Sequence, residues 1–159
     1  HGYSTTNARI PIGIDTTVLT ADSTAALGLA WTAPASSTEM VSIAMGDETT
    51  VLAAASTTVP VVTFSMPYAF TLTGVIVSAV TAPTGAALVT VDVHESGTTV
   101  LSTKVTIDAS EKTSATAATP PVISDSSLAV NSLIQIFVDQ IDTDNVATGL
   151  KIYLLGTQT

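Results

Sequence analysis

The chain of 159 residues contains no cysteine, which removes disulfides and thiolate metal sites and leaves its redox compartment open. Cations are almost as scarce. Arg9, Lys104, Lys112 and Lys151 stand against thirteen Asp+Glu, a net charge of −9. Four scattered cations make no phosphate-tracking footprint, so nucleic acid is excluded as a partner, and an anionic membrane surface on the same ground. Aromatic residues make up only 4% and charged residues 11%, where a typical soluble domain has about 25% charged. Disorder needs high charge and low hydrophobicity, and this chain is 46% hydrophobic with a mean hydropathy of +0.52. A long apolar run is also missing. Residues 49–91 carry no charge, but Pro60, Pro67, Gly74, Pro83 and many Thr and Ser break them up. They never offer the roughly 20 continuous apolar residues of a membrane-spanning helix.

What is abundant is Thr, Ser, Val and Ala, and the β-branched members favour a pleated strand over a helix. Period-two alternation recurs. In residues 88–94, Val89, Val91 and Val93 share one face and Thr90, Asp92 and His94 the other. Residues 99–107 alternate Leu101, Thr103, Val105 and Ile107 against Ser102, Lys104 and Thr106, and the link Glu95-Ser96-Gly97-Thr98 predicts a hairpin. The same logic predicts strands at 40–45, 60–65, 70–80, 133–139 and 148–155, a weaker one at 111–119, and a turn at 142–145. About eight strands over 39–159 imply an all-β, jelly-roll-like antiparallel β-sandwich. Residues 1–38 read as a small N-terminal arm, with a hairpin of 17–21 and 27–31 across Asp22 and a linker at 33–37.

Three strands are apolar on both faces. Residues 70–80 place Leu72, Ile76 and Val80 on one side and Val75, Val77 and Ala79 on the other. Ile134, Ile136 and Val138 stand opposite Leu133 and Phe137, and Leu150, Ile152 and Leu154 opposite Tyr153 and Leu155. One face of an antiparallel sheet is usually wet and polar. The second faces therefore predict an oligomer interface at Ile76, Leu133, Phe137, Tyr153 and Leu155, and a homotrimer covers them by closed cyclic symmetry.

Candidate chemistry is sparse. No nucleophile elbow occurs, and the only histidines are His1 and His94, the latter at a strand end beside Asp92 and Glu95 with no serine placed against it. No glycine-rich phosphate loop is present. Two carboxylates about 5–9.5 Å apart would serve a glycosidase, but thirteen acids without an aromatic cleft do not single out a pair, which leaves polysaccharide depolymerase as a remote alternative. Asp139, Asp142 and Asp144 crowd oxygen ligands into one turn, the donor chemistry that suits Ca²⁺, although the spacing is not that of an EF-hand. A solvated turn with capping Asp and Asn side chains is the alternative. No other cofactor is expected.

Two stretches carry a resemblance. The run from Met66 through Pro67, Tyr68, Ala69 and Phe70 to Gly74 and Val75, followed by Thr81 to Gly85, resembles a domain recurring in virion structural proteins of tailed bacteriophages. The segments 89–93, 99–108, 111–114 and 149–153 continue the pattern in order. Basic residues often flank the first run in that family, and here Ser65 and Ile76 take their places, which makes this copy greasier. The second stretch, from Arg9 to Gly13, then Val18 to Thr24 and Gly28 to Trp31, resembles a short module of phage fibre-type proteins. The resemblance implies a non-enzymatic virion surface protein, a jelly-roll homotrimer of tail-fibre, head-fibre or adhesin type that meets other capsid or tail proteins and a host-surface glycan. A capsid decoration (cement) protein at three-fold positions of the head is the alternative. Arg9, Ile10, Ile12, Leu29 and Trp31 are the residues expected to dock the arm.

Overall fold

The computed structural model describes residues 10–34, 37–52 and 56–159. The chain is all-β, and its one helical element among the described residues is a 3-10 turn at Ser114–Thr116. It divides into two compact units, His1–Ser36 and Ser37–Thr159.

In the first unit, strands β1 (Val18–Ala21) and β2 (Leu29–Thr32) pair antiparallel with Leu19 opposite Trp31. The expected turn forms at Asp22, whose Oδ1 accepts the amide of Thr24 at 2.8 Å and its hydroxyl at 2.6 Å. This is an Asx-turn, in which the side chain replaces a backbone acceptor. The Trp31 indole donates to the Pro11 carbonyl at 2.7 Å and packs against Gly13, where a Cβ would overlap the ring.

The second unit holds strands β3 (Thr38–Ala44), β4 (Val62–Ser65), β5 (Phe70–Ser78), β6 (Val89–Glu95), β7 (Thr98–Thr99), β8 (Leu101–Thr103), β9 (Val105–Ile107), β10 (Val122–Ile123), β11 (Ser127–Leu128), β12 (Leu133–Gln140) and β13 (Lys151–Gln158). One antiparallel sheet has the order β11-β5-β13-β3. The other runs β4-β12-β6-β7, with β9 also pairing β6, and a β10-β8 ribbon lies apart. Both large sheets send their inner faces into one core. Leu72, Val77, Ile152 and Leu154 come from the first, and Val89, Val91, Ile107, Ile134 and Ile136 from the second, none more than 2% exposed. Burying each such side chain contributes about 1.5–3 kcal/mol, so alternation on β6, β12 and β13 is enough to select which face turns inward.

The β6–β7 hairpin forms as its sequence predicts. Ser96 (φ +50°) and Gly97 (φ +89°) make a two-residue loop with positive φ at both positions, and Glu95 pairs with Thr98.

Three expectations are corrected. Strand β5 does not alternate strictly: Leu155 pairs with Gly74 but Gly156 with Leu72, leaving Thr73 as the extra residue of a β-bulge. The bulge resets the parity, so Phe70, Leu72, Val75 and Val77 all face the core and Leu72 leaves the second face. The predicted strand at 99–107 breaks into three, because Val100 and Leu101 are both buried and β8 turns away to pair with β10. Residues 111–119 form no strand: they hold the 3-10 turn at Ser114–Thr116, with Thr113 in an isolated bridge to Ser78. The Ser114 hydroxyl there accepts the Val77 amide at 2.9 Å, taking the place of a ladder bond.

Candidate functional site

The outer faces of the two large sheets differ sharply in chemistry. On the β4-β12-β6-β7 sheet, Asp92 points outward from the middle of β6 yet is only 2% exposed. Its Oδ1 accepts the Thr99 hydroxyl at 2.6 Å and the Val93 amide at 2.8 Å. Its Oδ2 takes His94 Nε2 and Lys104 Nζ, each at 3.2 Å. Lys104 also bonds Asp139, which sits in a bulge of β12 between Val138 and Gln140. Those bonds, to Asp139 first and then Asp92, hold the Lys104 ammonium above its ordinary 10.5. The His94 ring covers Phe137 with centroids 4.5 Å apart, leaving Phe137 5% exposed.

This network closes on itself. A nucleophilic triad needs a hydroxyl on the imidazole, whereas the Thr99 hydroxyl donates to the carboxylate and to the Leu101 carbonyl. Its chemistry is cross-linking: it ties β6, β7, β12 and the residue between β8 and β9 by charge-assisted bonds. Sequence alternation put Asp92 and His94 on one face, but Lys104 and Thr99 were not legible as partners. Asp139 lies 35 positions from Lys104, and only the sheet brings them together.

The β11-β5-β13-β3 sheet has the opposite character. Its outer face carries Met40, Ser42 and Ala44 of β3, Tyr153 and Leu155 of β13, and Gly74, Ile76 and Ser78 of β5, with Leu155 opposite Met40 and Tyr153 opposite Ser42 and Ile76. Met40 is 58% exposed, and Ile76, Tyr153 and Leu155 are half-buried. The one ionic group, Lys151, is paired with Glu48, which raises the ammonium. The Tyr153 hydroxyl lies 3.2 Å from that of Ser78. The long edge strand β3 has no proline or lysine to guard its free side.

The residues expected at an oligomer interface therefore separate. Ile76, Tyr153 and Leu155 come together on this face. Leu133 lies on the other sheet, 43% exposed, and Phe137 is covered within the chain by His94. The expected docking residues Ile10, Ile12, Leu29 and Trp31 are all at least 36% exposed, and Arg9 lies outside the described residues. Of the sixteen large hydrophobics exposed among the described residues, eight fall between Ile10 and Trp31.

The three carboxylates read as a cation set meet different partners. Asp139 is held by Lys104, Asp142 is buried in its turn, and Asp144 accepts the Thr84 hydroxyl at 3.0 Å. No group of three or more metal-ligating His, Cys, Asp or Glu forms among the described residues. A cleft of about 210 Å³ opens between Met45, Asp47, Thr50, Leu52, Val61 and Val138. Its single carboxylate is consumed by hydrogen bonds from Thr50 and Thr49, which hold Asp47 well below the usual carboxylate range. That volume is below the roughly 300 Å³ of the smallest ordinary ligand sites. No protein-family model, curated protein or solved structure matches the chain.

Proposed function

We propose that this chain is a non-enzymatic structural component of a tailed-bacteriophage virion surface, a homotrimer of fibre or adhesin type that presents or anchors contact with a host-surface glycan. The observation that carries the assembly is the largely apolar outer face of Met40, Ile76, Tyr153 and Leu155, whose one ionic group, Lys151, is paired with Glu48, in a chain of net charge −9. Copies of an acidic chain repel unless they meet through surface free of carboxylates, and contiguous exposed apolar surface marks an interaction site. The virion assignment rests on the ordered resemblance of 66–75, 81–85, 89–93, 99–108 and 149–153 to phage structural domains. A jelly-roll strand order belongs to the same reading.

Light scattering at micromolar concentration tests the assembly, with an expected mass of three times 16.1 kDa. A monomer there overturns the trimer. Cryo-EM of the particle tests the location, with density for the chain expected at a fibre.

A second reading, a capsid decoration protein, is favoured by the eight exposed apolar residues of the first unit, a surface suited to docking on a shell. Copy number separates the two: hundreds per particle on the head lattice mean decoration, a few to dozens mean a fibre. Release of new reducing ends from host polysaccharide would sink both in favour of a depolymerase.

A further inference from the structure

The turn between β12 and β13 holds a carboxylate that its surroundings leave incomplete. Asp142 is 2% exposed. Its Oδ2 accepts the Val146 amide at 3.1 Å, and its main-chain carbonyl accepts the Asn145 amide, so the side chain is folded into its own turn. Its Oδ1 is buried with no hydrogen-bond donor. A buried anion with an orphan oxygen is among the costliest arrangements in a protein interior, and a basic residue or a metal ion normally offsets it. No ion pair among the described residues involves Asp142 or Asp144.

The loop before β6 clamps this turn from the side. The Thr84 hydroxyl donates to Asp144, and the Ala87 amide donates to the Thr143 hydroxyl. Gly85 lies so close that a Cβ would come within 2.6 Å of the Thr143 nitrogen and 2.9 Å of that of Asp144. Two loops 60 positions apart are thus pressed together at the turn that carries Asp142 and Asp144.

We propose that this junction binds one Ca²⁺, with Asp142 Oδ1 as its buried anionic ligand, Asp144 as the second carboxylate, and hydroxyl, carbonyl and water oxygens completing the shell. The donors are all oxygen, with no imidazole or thiolate, which is hard-cation chemistry. An irregular pair of loops supplying main-chain oxygens suits the flexible six-to-eight coordination of Ca²⁺ better than the strict octahedron of Mg²⁺. Asp139 takes no part, since Lys104 holds it on the outer face of β12. Binding would stiffen the entry to β6 and the entry to β13 at once, coupling one strand of each large sheet.

The test is calorimetric titration of chelator-stripped full-length protein with CaCl₂, alongside thermal unfolding in Ca²⁺, Mg²⁺ and EDTA. One Ca²⁺ per chain is expected, with a dissociation constant of about 10⁻⁵–10⁻³ M. The unfolding midpoint should rise by roughly 5–10 °C in saturating Ca²⁺ and much less in Mg²⁺. Asp142→Asn should abolish both signals, Asp144→Asn should weaken binding about tenfold for the loss of one carboxylate, and Asp139→Asn should leave the affinity unchanged. If Asp142→Asn fails to fold, the wild-type titration and the other two variants still decide. No binding heat and no midpoint shift in the wild-type protein overturns the proposal in favour of a buried water on Oδ1. Loss of binding in Asp139→Asn overturns the two-carboxylate assignment.

Discussion

Asp92 shows how one residue can look like a catalytic group and act as a rivet. It sits beside a histidine, buried and ionic, but its four hydrogen-bond partners come from four points of the chain: Val93, His94, Thr99 and Lys104. Asp92→Ala would leave Thr99 and His94 without their acceptor and Lys104 with Asp139 alone. Removing one partner of a buried pair costs about 3–5 kcal/mol, and the 43% exposure of the Lys104 side chain lowers the expected loss to about 2–3 kcal/mol, read by urea denaturation. The sign of the pH dependence follows from Lys104. Its folded value is raised above 10.5, so the stability it contributes is fully present below that pH and is lost as pH rises through the raised value. Lys104→Gln should therefore flatten the alkaline limb of a stability–pH curve, leaving the contributions of Lys151 and Tyr68, both also raised. A limb of unchanged steepness would show that the charge of Lys104 contributes nothing to stability.

At the scale of elements, backbone irregularity decides more than propensity does. The period-two pattern of residues 70–80 is real, and a strict alternation makes it apolar on both sides. The single extra residue Thr73 turns Phe70 and Leu72 to the same face as Val75 and Val77. A bulge has no distinctive composition beyond an adjacent glycine, so it was not legible. It is enforced from the partner strand, where a Cβ on Gly156 would overlap the Thr71 carbonyl and the Phe70 ring. Gly156→Ala should cost about 1–3 kcal/mol as overpacking, seen as a lower thermal midpoint with the oligomeric state unchanged. A neutral substitution would mean that the strands can separate there without loss. The hairpin at Ser96-Gly97 was legible because its signal is local, and the break at Val100 was not, because burial of two successive residues depends on what packs around them.

At the scale of the whole molecule, the hairpin unit holds the largest concentration of exposed apolar side chains among the described residues, and the outer face of one sheet adds Met40 with half-buried Ile76, Tyr153 and Leu155. An isolated two-stranded hairpin is marginal in water, and half of the exposed large hydrophobics lie between Ile10 and Trp31. Trp31 is the only tryptophan and is 39% exposed, so its emission reports on that unit alone. Assembly that covers the hairpin should shift the emission to shorter wavelength and protect it from iodide quenching, with dilution reversing both. Unchanged quenching in the oligomer would remove the hairpin from the interface. For the sheet face, Ile76→Lys with Tyr153→Lys should lower the mass seen by light scattering while leaving the far-ultraviolet β signature intact, since both side chains point away from the core. An oligomer that survives both lysines places the contact elsewhere.

Composition and alternation alone determined that this chain is built of antiparallel strands. They also determined which residues of β6, β12 and β13 line the core, because a period of two and the cost of wetting a valine leave one solution. They named Ile76, Tyr153 and Leu155 as surplus apolar surface. Only the tertiary structure decided that these three lie on one face while Leu133 and Phe137 lie on another. It alone joined Asp92 to Lys104 and Asp139, and left one oxygen of Asp142 without a donor. Those outcomes depend on bulges and on contacts between residues far apart in the chain, which no local pattern encodes. Low charge in the sequence excludes polyanionic partners, and the fold leaves the face that Ile76, Tyr153 and Leu155 share with a single ionic group, Lys151, paired to Glu48.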